Sequence, residues 1–182
     1  GNKLPVSALI LNSPFLDMNM SWFMEEVAIP VISFIGNYFP NLEVEGKGIS
    51  QYAHSLLKRF HGEWEYNENW KKTTGHPKKA GWIHAIHKGH QTIQKGLNLT
   101  CPILVMSSDK SIPETKIWNE LYHTSDIVLD VKDIQKYGKM LGSRVTCKQI
   151  HNGKHDLVLS NEPARKETYQ VIFSWLKQQS GK

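Results

Sequence analysis

A chain of 182 residues, 40% hydrophobic and 21% charged, is long enough to bury a core and has the make-up of one globular domain or most of one, which excludes a disordered or fibrous protein. Its formal net charge of +5 invites a polyanion, but Lys and Arg are interleaved with acids except at Lys71-Lys72 and Lys78-Lys79 and no nucleic-acid motif accompanies them, so a nucleic-acid partner is not expected. No run approaches the roughly eighteen apolar residues of a membrane span, and Gly1-Asn2-Lys3 does not open a signal peptide, so neither a span nor a self-targeting leader is expected.

Val6-Ser7-Ala8-Leu9-Ile10-Leu11 is a nearly unbroken apolar run stopped by Asn12-Ser13-Pro14, which predicts a strand covered on both faces of a parallel sheet. Residues 22–39 are rich in large apolar side chains and are interrupted by Pro30 and Gly36, predicting two short helices kinked at Pro30. These are either core helices or a mobile lid whose apolar face meets an acyl or aromatic substrate; on the second reading Phe15, Trp22, Phe23 and Phe34 are the candidate substrate contacts. Gly48-Ile49-Ser50 introduces a helix running to about Arg59, with Tyr52, Leu56, Leu57 and Phe60 along one side and an end at His61-Gly62. Trp64, Trp70 and Trp82, set among acids and polar turns, predict a packed region with little regular sheet, and residues 81–96 return to helical spacing through Trp82, Ile83, Ile86 and Ile93.

Cys101-Pro102-Ile103-Leu104-Val105-Met106 is a second buried strand, closed by Ser107-Ser108-Asp109. A short amphipathic helix over 132–141, ended by Gly142, and a third strand over 144–150 follow. The last helix has Asn161 as its expected N-cap and Pro163 in its first turn, with Thr168, Val171, Ile172, Trp175 and Leu176 on one face. Strands alternating with helices specify the α/β class, with parallel strands and right-handed crossovers. On this division residues 1–16 and 99–182 form the core, and 17–98 form a helical cap inserted between two neighbouring strands.

Cys101 and Cys147 each sit in an apolar run, where a reduced, buried thiol is the default, and this points to the cytoplasm. Asn19-Met20-Ser21 and Asn98-Leu99-Thr100 match the glycosylation sequon, a common chance pattern that matters only in a secreted protein. His84, His87 and His90 tempt a metal reading, but their spacing spreads them round a helix and no carboxylate or cysteine stands at ligand spacing, so a solvated face is expected and no metal.

Six phrases follow one another in an order more specific than any of them alone: Ala8-Leu9-Ile10-Leu11-Asn12-Ser13-Pro14-Phe15-Leu16-Asp17, Gly62-Glu63-Trp64, Ala80-Gly81-Trp82, Pro102-Ile103-Leu104-Val105-Met106-Ser107-Ser108, Ser125-Asp126-Ile127-Val128-Leu129-Asp130-Val131, and His155-Asp156-Leu157-Val158-Leu159-Ser160. Together they resemble, over the whole chain, the C-terminal portion of α/β-hydrolases of the serine aminopeptidase, monoacylglycerol lipase and lysophospholipase-like group. The resemblance implies that the three strands are the sixth, seventh and eighth of that sheet, with the cap inserted after the sixth. It also implies that Asp126 is the acid and His155 the base of a Ser-Asp-His triad, in the chain order such enzymes use, and that no cofactor is needed. The nucleophile elbow and oxyanion amides belong upstream in that pattern, and no G-x-S-x-G occurs in these 182 residues. An insertion over 110–124 departs from the pattern and leaves Asp109, and after it Asp130, as competitors for the acid; His151 is the alternative base.

Two function classes follow. One is the C-terminal half of a serine hydrolase of esters, thioesters or amides, its apolar cap favouring a small acyl or lipid-like ester. The other is a non-catalytic α/β-hydrolase-like fragment or binding module, which the missing nucleophile and basic cap favour. The uncharged, unprotected run 6–11 further predicts an open sheet edge, covered by the missing N-terminal half of the fold or by a homodimer partner.

Overall fold

The computed structural model of the chain describes residues 6–21, 23–45, 48 and 50–180. In chain order its elements are β1 (Leu9–Asn12), a π-helical turn (Met24–Ala28) running into α1 (Ile29–Tyr38), β2 (Glu43–Glu45), α2 (Gln51–Leu56), β3 (Lys78–Lys79), α3 (Ala80–Gln94), β4 (Ile103–Ser108), a 3₁₀ turn (Glu120–His123), α4 (Val131–Gly138), β5 (Val145–Ile150), a second 3₁₀ turn (Leu157–Leu159) and α5 (Glu162–Ser180).

The main sheet is three-stranded and parallel in the order β1-β4-β5, the α/β arrangement expected from the alternation of strands and helices. β4 lies between the other two and is buried along its whole length. Its alternate residues feed two cores: Ile103 and Val105 pack with Leu129, Ile134 and Leu141 under α4, while Leu104 and Met106 pack with Ile150, Leu157 and Trp175 under α5. Each such side chain contributes roughly 1.5–3 kcal/mol by leaving water.

Two strand boundaries shift from the expected ones. β1 starts at Leu9, because Val6 is half exposed, and β4 runs two residues past Met106. Ser107 and Ser108 continue the strand although buried, since the Ser107 hydroxyl donates to the Ser108 carbonyl and accepts from Gln135 Nε2. Cys101 and Cys147 are free thiols but only half-buried. At α5 Asn161 stands at the expected N-cap position, its backbone carbonyl accepting the Arg165 amide, but its side-chain oxygen makes no capping bond.

Between β1 and β4 the inserted segment is built around α1 and α3, which pack together. Pro30 sits where the π-helical turn passes into α1 and has no N–H to continue the bonding of the preceding turn, so the expected kink is a change of winding from π to α. Gly36 does not break α1. A Cβ there would lie 2.1 Å from the Ala80 carbonyl oxygen, so the glycine lets α1 and the start of α3 touch backbone to backbone. Gly36→Ala is therefore expected to force the two helices apart and lower unfolding stability by about 2 kcal/mol in a urea titration.

α2 is shorter than the periodicity suggests. Leu57 turns extended, and the chain doubles back so that the Lys58 amide donates to the Trp64 carbonyl (2.8 Å) and the Trp64 amide to that of Leu56 (2.8 Å). β2 and β3 pair as a small antiparallel sheet that carries no sequence signal, being three and two residues long.

Candidate active site

Parallel strands bring the loops that follow them to one edge of the sheet, and the loops after β4 and β5 carry the candidate acid and base. The loop after β4 is long, and it is tied across its neck: the Asp126 amide donates to the Lys110 carbonyl, and the Ile112 amide to that of Asp126, each at 3.0 Å. This buries Asp126 completely. Its Oδ1 accepts the backbone amides of Val128 (2.8 Å) and Leu129 (2.9 Å), the local turn that a short carboxylate makes with the residues after it. Its Oδ2 lies 3.0 Å from His155 Nδ1.

The loop after β5 turns sharply at Asn152, whose φ of 54° is left-handed, with the Gly153 amide donating back to the Ile150 carbonyl. His155 follows, its side chain 20% exposed. Because a buried carboxylate accepts at Nδ1, that nitrogen carries the proton and Nε2 keeps its lone pair, which is the tautomer able to take a proton from a hydroxyl.

Asp109 and His151, the alternatives for acid and base, pair with each other instead, Oδ2 to Nδ1 at 2.9 Å. Asp109 Oδ1 also accepts the Asn152 amide at 3.0 Å. Here the His151 side chain is 75% exposed, so water screens this pair as it does not screen Asp126 and His155. Asp130 caps α4, accepting the Lys132 amide at 2.9 Å.

His155 lines a cavity of about 350 Å³ whose wall is mainly apolar: Phe15, Met18, Met20, Trp82, Ile83 and Val128, with Lys78 the charged residue among them. Phe15 stacks on Trp82 at 6.5 Å between ring centroids and meets the buried His90 edge-on at 4.6 Å. Such a volume is at the lower end for a small-molecule site. Of the four candidate substrate contacts the structure brings Phe15 to this cavity. Phe23 and Phe34 are not among its walls and are 61% and 67% exposed. The reason lies in α1, whose buried positions Ile29, Ser33 and Gly36 form the face toward α3, leaving Phe34 on the outer side against Tyr38. Trp22 lies outside the described residues. The methionines at 18 and 20 and the α3 residues Trp82 and Ile83 are not substrate contacts on the sequence reading, where they look like loop and ordinary core.

The histidines of α3 diverge: His84 Nδ1 meets the Ser33 carbonyl (2.8 Å), His87 meets Gln91 (3.0 Å) and His90 Nε2 meets the Phe15 carbonyl (3.1 Å). Among the described residues no three metal-ligating side chains come together.

Around His155 the loop is charged and partly buried. Burial pulls the Lys154 ammonium down to about 8, with the Glu63 carboxylate opposing. Burial alone would raise Asp156, but the hydrogen bond from Tyr52 and the charge and hydrogen bond of Lys71 hold it below the ordinary carboxyl range. Burial, with the Asp156 charge beside it, raises the Tyr52 phenol well above its usual value, so the hydroxyl keeps its proton.

No protein-family model matches the chain, nor does any curated protein sequence. Solved structures do. A monoacylglycerol lipase from Paleococcus ferrophilus superposes with a TM-score of 0.62 at 14% identity, over 96% of this chain and 60% of that one. A soluble variant of the monoglyceride lipase of Saccharomyces cerevisiae, solved with a substrate analogue, gives 0.59 at 10% identity, over 95% of this chain and 56% of that one. The chain thus has the fold of part of an α/β-hydrolase and spans 56–60% of the length of these two structures.

Proposed function

We propose that this chain supplies the acid and the base of a Ser-Asp-His hydrolase, together with the apolar wall and lid of its substrate site. The supporting observation is the fully buried Asp126 carboxylate, satisfied on one oxygen by two backbone amides and aimed with the other at His155 Nδ1 beside an apolar cavity. In this reading Asp126 holds the imidazole in one tautomer, His155 takes the proton of a serine hydroxyl and returns it to the leaving group, and the serine with its oxyanion amides comes from a segment outside these 182 residues. That segment, or failing it a second copy of the chain, is assigned to the outer edge of β1, which carries no strand among the described residues. The substrate is a small acyl or lipid-like ester, since an apolar cavity of about 350 Å³ has room for a short chain. The setting is assigned to the cytoplasm, from the two free cysteines. Among the described residues no helix is long and apolar enough to cross a membrane.

Turnover of a p-nitrophenyl ester tests this. The 182 residues alone are expected to show none that depends on a serine of their own; joined to the preceding coding sequence they are expected to turn over, and His155→Gln is expected to abolish it. Turnover by these residues alone that is lost on changing one of their own serines would overturn the assignment of the nucleophile. A joined protein that is inert and unlabelled by a fluorophosphonate would favour the binding-module reading.

A further inference from the structure

Asp126 is one support for His155; a second comes from the inserted segment and rests on the reading of His155 given above. Short helix α2 lies across the loop that carries the histidine. The hydroxyl of Tyr52 donates to Asp156 Oδ2 at 2.6 Å and accepts the Asp156 backbone amide at 3.2 Å, so one atom fixes both the side chain and the backbone of the residue after His155. Lys71, from the same inserted segment, reaches the same carboxylate oxygen at 3.2 Å. The residue before His155 is held as well: Lys154 Nζ donates to the Ser55 carbonyl at 2.6 Å. The Tyr52 ring stands perpendicular to the imidazole, 85° between planes and 5.6 Å between centroids.

α2 is itself anchored at this same N-terminal end. The Glu114 carboxylate accepts the backbone amides of Gln51 and Tyr52, the latter at 3.3 Å, and Gln51 Nε2 donates to the Lys116 carbonyl at 2.9 Å. Both Glu114 and Lys116 belong to the loop after β4, the one that also carries Asp126. Acid loop, helix and histidine loop therefore form a closed circuit, and Tyr52 is the residue at which it touches the histidine.

We propose that Tyr52 is a positioning residue for His155: its hydroxyl locks the backbone at Asp156 and its ring buttresses the imidazole, so that docking of the inserted segment and the orientation of the base are coupled. A misplacement of about 1 Å at a reacting group costs on the order of a hundredfold in rate, and loss of one of two supports is expected to cost part of that.

The test uses the full chain and reads the hydrogen-bonded Nδ1 proton of His155 by NMR, assigned by its loss in His155→Gln, together with kcat and KM for ester hydrolysis by the joined protein. Tyr52→Phe deletes the hydroxyl and keeps the ring, so folding is preserved where Tyr52→Leu would fail. It is expected to speed exchange of that proton with water and to lower kcat by about tenfold, each with KM within about twofold. Asp156→Asn, which keeps an acceptor but loses the charge that Tyr52 and Lys71 hold, is expected to give a smaller change in the same direction. Asp126→Asn separates the two readings. If it abolishes the proton signal while Tyr52→Phe leaves exchange and kcat unchanged, the Tyr52 proposal alone is overturned; if the signal survives Asp126→Asn, the Asp126 to His155 pairing is overturned, and the Tyr52 proposal with it.

Discussion

Asp126→Asn is expected to lower kcat of the joined protein by about 10⁴-fold, the effect of presenting a triad histidine in the wrong tautomer. The asparagine oxygen can go on accepting the Val128 and Leu129 amides, so the turn survives, but its amide nitrogen then faces His155 Nδ1. Two donors cannot share that contact. The imidazole must shift its proton to Nε2, where a base is needed. Asp126→Ala separates the chemistry from the fold: it leaves the buried Leu129 amide without a partner, at about 1–3 kcal/mol, and the part-buried Val128 amide at less, and should cost stability that the asparagine variant keeps. Guanidinium unfolding of the two variants beside ester kinetics checks both. Equal loss of stability in the two, or an asparagine variant with more than about a tenth of the wild-type rate, would show that Asp126 serves the turn and not the histidine.

How much of this was legible in the sequence depended on whether the cause was local. β4 could be read because a strand covered on both faces has no reason to alternate, and its apolar run says so. The pairing of Asp126 with His155 was legible through order and spacing, which the resemblance supplied; against Asp109, composition alone had no answer. What distinguishes the two is burial, since the neck of the 109–126 loop closes over Asp126 and leaves Asp109 at the rim. Phe34 illustrates the opposite case. Its apolar character made it a wall candidate, but its direction is set by Gly36 meeting the Ala80 backbone, a contact between residues far apart in the chain. α2 was overextended for a similar reason, because Leu56-Leu57 keeps helical spacing and only the distant Trp64 turns the chain back. Tyr52 looked like one residue of an apolar helix face, and nothing in its neighbours announces a hydroxyl bound to Asp156.

Lys154 carries the last expectation, concerning stability against pH. The residue is 3% exposed, and its ammonium, which donates to the Ser55 carbonyl near the end of α2, is pulled by burial from 10.5 to about 8. A lysine whose folded value is depressed binds fewer protons in the folded chain than in the unfolded one throughout the window between those values. Stability therefore rises with pH across that window, and below about 8 the whole cost of burying the charge is present, a gap equivalent to about 3 kcal/mol. Other groups titrate nearby, and Cys147, whose thiol burial raises, pulls the opposite way, so the informative quantity is the difference from Lys154→Met, which fills similar space without a charge. That difference in unfolding free energy is expected to move by about 2 kcal/mol in favour of the wild type between pH 7 and pH 10. The methionine leaves the Ser55 carbonyl unpaired, a cost that does not change with pH and so drops out of the slope. A difference that stays flat would mean that Lys154 keeps its full charge in the folded chain, held by the Ser55 carbonyl and the Glu63 carboxylate strongly enough to cancel its burial, and the histidine loop would then be pinned to α2 by a permanent cation.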